Sequence, residues 1–264
     1  MPYHFNHFAY PPHNKTLGVL KEPCMDYLFI LAVGLVAGTL SGIVGFGSSI
    51  MLMPVLVIVF GPRQAVPIMA IAAIMVNFSR IVAWWREVDW RACAAYSVTG
   101  IPGAALGAGT LLVLPPRIIE GVLGVFFIAM IPARRWMASH HLKIRLWHLA
   151  VVGLVIGYIT GIVATTGPIS APIFLAYGIV KGAFLATEAA SSLAVYVSKA
   201  IVFRTFGALP ADIIIKGLIT GSSLMGGTFV AKRFVLKLGP EQFRLLMEGL
   251  MLISGAAMLW AAAS

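Results

Sequence analysis

Charge is what this sequence has least of. Asp, Glu, Lys and Arg make up 11% of its 264 residues, against about 25% in soluble globular chains; a water-soluble fold of this size could not cover its own apolar surface. Only nine residues are acidic, against nineteen Lys and Arg, which leaves few carboxylates for acid–base or metal chemistry. Cys24 and Cys93 are the whole cysteine complement; two residues offer neither a disulfide framework nor a metal-ligand spacing. No Gly-x-x-x-x-Gly-Lys-Ser/Thr spacing occurs, so nothing points to an ATP-driven pump. No His, Asp or Cys constellation falls inside an apolar stretch, which argues against an intramembrane enzyme and against any metal or cofactor. Polar blocks large enough for a soluble domain are also missing. The longest are an N-terminal tail, residues 1–26, which reads as a flexible extension without the features of a signal peptide, and a basic loop over 133–145.

What remains is apolar. Hydrophobic residues are 60% of the chain, gathered over 27–44, 48–60, 64–85, 92–114, 117–132, 146–164, 168–180, 183–203, 211–231 and 240–262. Most are long enough to cross a hydrocarbon core about 30 Å thick as a helix. The second and seventh reach only part of that depth, as half-helices or arms of re-entrant hairpins. The expected fold is an all-α polytopic membrane protein of about eight to ten helical segments. A formal charge of +10 does not indicate nucleic acid, because the basic residues stand singly or in short clusters beside apolar spans. Anionic lipid headgroups and the positive-inside bias explain that placement.

The chain repeats itself. Residues 34–44, GLVAGTLSGIV, align with 153–163, GLVIGYITGIV, at an offset of 119 with seven of eleven positions identical. That offset also pairs Ser79-Arg80 with Ser198-Lys199 and Gly107 with Gly226, and Glu120-Gly121 pairs with Glu248-Gly249 at 128. The simplest account is two halves of five segments, 27–132 and 146–264. Five is odd, so the second half enters the bilayer from the opposite side, the inverted arrangement many secondary transporters build around a midplane site. One side collects Arg86, Arg91, Arg134, Arg135, Lys143, Arg145, Lys181, Lys232, Arg233 and Lys237, and reads as cytoplasmic, with both termini outside.

Glycines at 34, 38 and 42, and at 153, 157 and 161, share one helix face, and their first meaning is close helix packing in lipid. The stretches immediately C-terminal to them are of another kind. Gly45-Phe46-Gly47-Ser48-Ser49 interrupts one run and Ala164-Thr165-Thr166-Gly167-Pro168-Ile169-Ser170 its mate. Such residues break a helix and start another, near Ser49 and near Pro168, exposing unpaired N–H groups at the positive end of a helix dipole. Two such starts facing one another would bind an anion; the alternative is a packed kink. Arg80 and Lys199 lie inside apolar segments, either as ligands of that anion or as cations snorkelling to an interface. Asn77, Ser79, Tyr196 and Ser198 lie within a helical turn of them. Glu188 is either an interfacial carboxylate or a coupling group. Glu120 and Glu248 each have an arginine at helical spacing, Arg117 and Arg244, which reads as a local ion pair.

The repeated stretch GLVAGTLSGIVGFGSSIMLMPVL and its mate GLVIGYITGIVATTGPISAPIFL, each succeeded by a Ser-basic helix, resemble the TauE/SafE family of membrane permeases. The likeness runs from about Tyr27 to the C-terminus. It implies a multi-pass transporter of the cell inner membrane that moves sulfite, sulfonates or related organic anions. It also implies a glycine-rich first motif at Gly42, Gly45, Gly47, Ser48 and Ser49, with a partner at Gly161, Thr165, Thr166, Gly167 and Pro168. Ser48-Ser49 and Ala164-Thr165-Thr166 depart from the family's pattern, which bears on substrate identity and not on fold.

The expected function is secondary transport of a small anion by alternating access. The substrate would be held by Gly45, Gly47, Ser48, Ser49, Asn77, Arg80, Thr165, Thr166, Gly167, Ser170, Ser198 and Lys199, with Glu188 the candidate for coupling to protons or another ion. An anion channel is the alternative; an intramembrane enzyme or a structural subunit ranks below it. Oligomeric state leaves no signature in the residues.

Overall fold

A computed structural model of the chain describes residues 23–44, 47–139, 144–163, 167–234 and 240–263. Among them every regular element is a helix: α1 Pro23–Val44, α2 Gly47–Phe60, α3 Pro62–Trp84, a 3-10 turn Trp85–Glu87, α4 Trp90–Val113, α5 Pro116–Ser139, α6 Leu146–Ile162, α7 Gly167–Tyr177, α8 Lys181–Thr205, α9 Ala211–Phe234 and α10 Pro240–Ala263. Local chemistry sets several of these ends. Proline opens α3, α5 and α10, where a missing N–H costs nothing. Asp89 caps α4 by accepting from the Arg91 and Ala92 amides at 3.0 Å, which satisfies two of the helix's orphan donors. Gly61 turns the chain between α2 and α3 with φ 78°, a conformation open to glycine.

Helices α3, α4, α5 and α8 are long and apolar enough to cross a bilayer; α9 and α10 are equally long at 24 residues each. By contrast α2 has 14 residues and α7 has 11, about 21 and 17 Å of rise. Both short helices fold back beside the helix that precedes them. The ring of Tyr27, at the start of α1, meets Phe60, at the end of α2, at 6.2 Å between centroids. The amide of Ile144, just before α6, donates to the carbonyl of Ala176 near the end of α7 at 3.5 Å. Each half therefore begins with a re-entrant hairpin whose break lies at its deep end, and continues with three long helices. The chain runs on accordingly, so the hairpin α6–α7 enters from the face opposite to α1–α2, and the repeats are inverted.

The packing obeys the same exchange. The principal neighbours are α1 with α9 and α6 with α4, α3 with α9 and α8 with α4, α2 with α10 and α7 with α5, and, across the pseudo-two-fold itself, α3 with α8 and α5 with α10. Swapping α1–α5 for α6–α10 leaves that scheme unchanged. Glycine makes the tightest seams. A Cβ on Gly38 would run into the Leu224 backbone, and one on Gly157 into the Gly100 backbone. Those two contacts are equivalents, as are Gly227 against Leu35 and Thr39 and Gly103 against Leu154 and Tyr158.

These equivalences correct the repeat register beyond α3. Leu224 answers to Gly100 and Gly227 to Gly103, an offset of 124, so Gly226 is not the mate of Gly107; a Cβ on Gly226 would meet only Leu35, at 3.6 Å. In the last helices Gly124 packs on Gly255 and Leu259 while Gly255 packs on Gly124 and Ile128, a reciprocal contact that sets the offset at 131, so the Glu120/Glu248 pairing is also displaced. Residues inserted between helices shift the register and leave the packing intact. Glu248 is tied to Arg135 on α5, its Oε1 at 3.1 Å from Nε; the side chain of Arg244 lies outside the described residues. Helix α1 starts at Pro23, inside the expected tail, and α5 runs to Ser139, into the expected basic loop.

Exposed apolar side chains, among them Ile58, Val98, Leu106 and Val113, cover the outer surface, as lipid contact requires. All six tryptophans are exposed, and five of them, Trp84, Trp85, Trp90, Trp136 and Trp147, stand at helix ends on a single face, beside Arg86, Arg91, Arg135 and Arg145. That is the aromatic and basic belt of a membrane–water boundary.

Gly157→Ala is expected to lower the apparent melting temperature in detergent, by an amount corresponding to about 1–3 kcal/mol of overpacking. Gly109→Ala, where a Cβ meets nothing within 4 Å, is the matched control and should leave the melting temperature unchanged within error.

Candidate functional site

A charge inside the hydrocarbon layer is costly unless protein groups hydrogen-bond it, and three ionisable side chains are buried among such groups where the two halves join. Arg80 on α3 is 7% exposed, Glu188 on α8 3% and Lys199 on α8 fully buried. Snorkelling is thereby excluded for both cations, and the interfacial reading of Glu188 is replaced by a buried one. Arg80 Nη1 lies 3.1 Å from Glu188 Oε2, and its Nη2 donates to the Asn77 side-chain oxygen one turn earlier on α3. The other carboxylate oxygen of Glu188 accepts from Ser192 at 2.8 Å and from Ser170 at 3.4 Å.

Ser170 belongs to the first turn of α7, so the Glu188 carboxylate rests against the positive end of a helix dipole as well as against a guanidinium. Lys199 serves the opposite pole. Its Nζ donates to the carbonyls of Thr160 and Val163 at 2.7 and 2.8 Å, the last turn of α6 and the residue after it, and stands 5.5 Å over the Phe203 ring. A cation at a helix C-terminus neutralises carbonyls that would otherwise go unmet at the break. Glu188 and Lys199 are eleven residues apart, three helical turns, and share one face of α8. Through them α8 binds α3, α6 and α7 together.

The remaining sequence-derived candidates divide into three groups. Asn77, Arg80, Ser170, Glu188 and Lys199 are drawn into the network just described. Ser48 and Ser49 are buried in the first turn of α2, while Gly47 and Gly167 open α2 and α7. Both helices thus begin within two residues of the expected starts, and neither α1–α2 nor α6–α7 is one continuous rod. Ser198 faces elsewhere: its hydroxyl donates to the Ile101 carbonyl on α4 at 2.9 Å, a seam between helices. Gly45, Thr165 and Thr166 lie outside the described residues. Sequence reasoning missed Ser192 and Thr160. A signal for the first existed in the Glu188-x-x-x-Ser192 spacing, which puts both on one helical face; Thr160 meets Lys199 through its backbone carbonyl, which no side-chain pattern reveals.

Removing one partner of the buried pair leaves an uncompensated charge. Arg80→Leu should therefore destabilise the protein by about 3–5 kcal/mol, and Arg80→Leu combined with Glu188→Leu should recover most of the loss. Thermal unfolding of the two variants in detergent measures both effects.

Comparison with known proteins places the chain among membrane transporters. Residues 30–258 match the family model described as "Sulfite exporter TauE/SafE". Among curated proteins, "Probable membrane transporter protein YjnA" of Bacillus subtilis (strain 168) is 21% identical over 253 residues, covering 87% of this chain and 98% of the relative. No solved structure matches.

Proposed function

Starting from a chain that belongs to the TauE/SafE family and is a multi-pass membrane transporter, we propose that it is a secondary transporter for a small oxyanion or organosulfonate, sulfite among them. The observation that carries the substrate class is a charge count. Arg80 and Lys199 against Glu188 leave one positive charge in excess at the buried junction, and among the described residues Lys199 is held by carbonyls and by no carboxylate. Excess positive charge in low dielectric attracts an anion strongly, and the starts of α2 and α7 add oriented N–H groups of the same polarity. The family's name points to the same chemistry.

The cycle is alternating access. Each hairpin break lies at the deep end of a half that enters from its own face, so relative movement of the two halves would open the junction to one face and then the other. The cell inner membrane is the proposed location, with the face carrying Trp84, Trp136, Arg86 and Arg145 on the cytoplasmic side by the positive-inside rule.

The test is a thermal-shift screen of purified protein against sulfite, sulfate, thiosulfate and sulfoacetate, then counterflow of the stabilising anion in proteoliposomes. At least one of these anions is expected to raise the melting temperature and to exchange across the membrane, with Lys199→Met losing at least about tenfold in affinity, on the order of 1.4 kcal/mol. Counterflow also separates a carrier from a channel. Absence of stabilisation and of flux with every anion would refute the proposal.

A further inference from the structure

The carboxylate of Glu188 already stands where an anion would bind. One of its oxygens meets the Arg80 guanidinium at 3.1 Å, and the other meets Ser170 in the first turn of α7. Both features that attract a foreign anion, a buried cation and the start of a helix, are thus engaged by a side chain of the protein itself.

Resting on the anion-transport reading above, we propose that Glu188 is a tethered competitor for the substrate. An incoming oxyanion takes Arg80, and Glu188 takes up one proton as it is displaced. The argument is electrostatic. Two negative groups sharing one cation in a low-dielectric site cannot both stay ionised, and the one free to protonate does so. Leaving Glu188 charged without Arg80 would bury an unpaired carboxylate, at heavy cost. Protonation removes that cost and leaves hydrogen bonding intact: the neutral carboxyl still accepts from Ser192, and its new O–H can donate to the bound oxyanion. Charge balances throughout. The junction carries one excess positive charge before binding, and the entry of one monoanion with one proton leaves that number unchanged. The transport step then moves no additional net charge through the low-dielectric interior.

Among the described residues, no other group on the elements around Glu188 replaces Arg80 in this role. From α3 Arg80 is the cation, with Asn77 held against it. From α4 the facing groups are Tyr96, buried and within electrostatic reach, Cys93, and Asp89, whose backbone amide donates to Thr187. The 3-10 turn brings Glu87 against Gly182, six residues earlier on α8. α7 contributes the neutral Ser170, and on α8 itself Lys199 lies three turns away, bonded to α6.

The experiment is isothermal titration of the purified full chain with methanesulfonate and with sulfate, anions that carry no proton near neutrality, in two buffers of different ionisation heat. For the wild type, methanesulfonate should draw in roughly one proton per anion, so that affinity falls about tenfold for each unit by which pH rises over the range in which uptake is seen. Glu188→Gln should bind the anion at least about tenfold more tightly at the upper end of that range, with no proton uptake and no pH dependence. Binding to the wild type without proton uptake, or uptake unchanged in Glu188→Gln, overturns the inference and leaves the anion site standing. Absence of binding in both proteins overturns the anion reading as well. Should Glu188→Gln fail to fold, the wild-type proton count decides alone.

Discussion

A guanidinium and a carboxylate held 3.1 Å apart between α3 and α8 set the terms for the rest of this molecule. In a medium that solvates neither ion, the pair leans on neighbouring groups for further hydrogen bonds. Asn77 accepts from Arg80 Nη2, and Ser192 and Ser170 donate to Glu188. Each partner sits on a different helix, so the pair requires α3, α7 and α8 to meet, and Lys199 adds α6 through two carbonyls. Burial of charge here is not a gain in stability. It positions the helices and leaves a surplus positive charge at the point where the two halves join.

The glycine seams make that junction reachable. Helices α1 and α9, like α6 and α4, approach so closely that a methyl group on Gly38 or Gly157 would enter the opposite backbone. Close approach gains dispersion contacts, which drive helix association in lipid. It also tucks each re-entrant hairpin against the long helices of the other half. The buried first turn of α2, at Ser48 and Ser49, and Ser170 in α7 then lie in protein rather than in lipid, as unpaired backbone groups at membrane depth require.

Much of this is legible in the residues alone. Apolar run lengths locate the ten described helices to within about four residues at every end but one, because the bilayer imposes those lengths; α5 runs seven residues past its expected end, to Ser139. The GLV repeat reveals the duplication and its inversion, and the Gly-Ser and Thr-Thr-Gly-Pro stretches mark the breaks. The register beyond α3 is less accessible: insertions between helices move the offset from 119 to 124 and then 131, and only packing equivalents such as Gly157 on Gly100 and Gly38 on Leu224 reveal it. Glu188 is similarly opaque. Its partner is 108 residues away, and one carboxylate near the start of an apolar helix looks interfacial until the helix opposite supplies its cation. Ser198 misleads the other way, since proximity to Lys199 in sequence says nothing of the helical face it occupies.

The central claim is that a negatively charged guest binds at the buried junction where Arg80 stands. Anomalous diffraction from crystals equilibrated with selenate, a heavier stand-in for sulfate, tests it most directly. The account expects a selenium peak within hydrogen-bond reach of the Arg80 guanidinium, with the Glu188 carboxylate moved off it. Peaks confined to the protein surface, with Arg80 and Glu188 still joined at every selenate concentration, would contradict it.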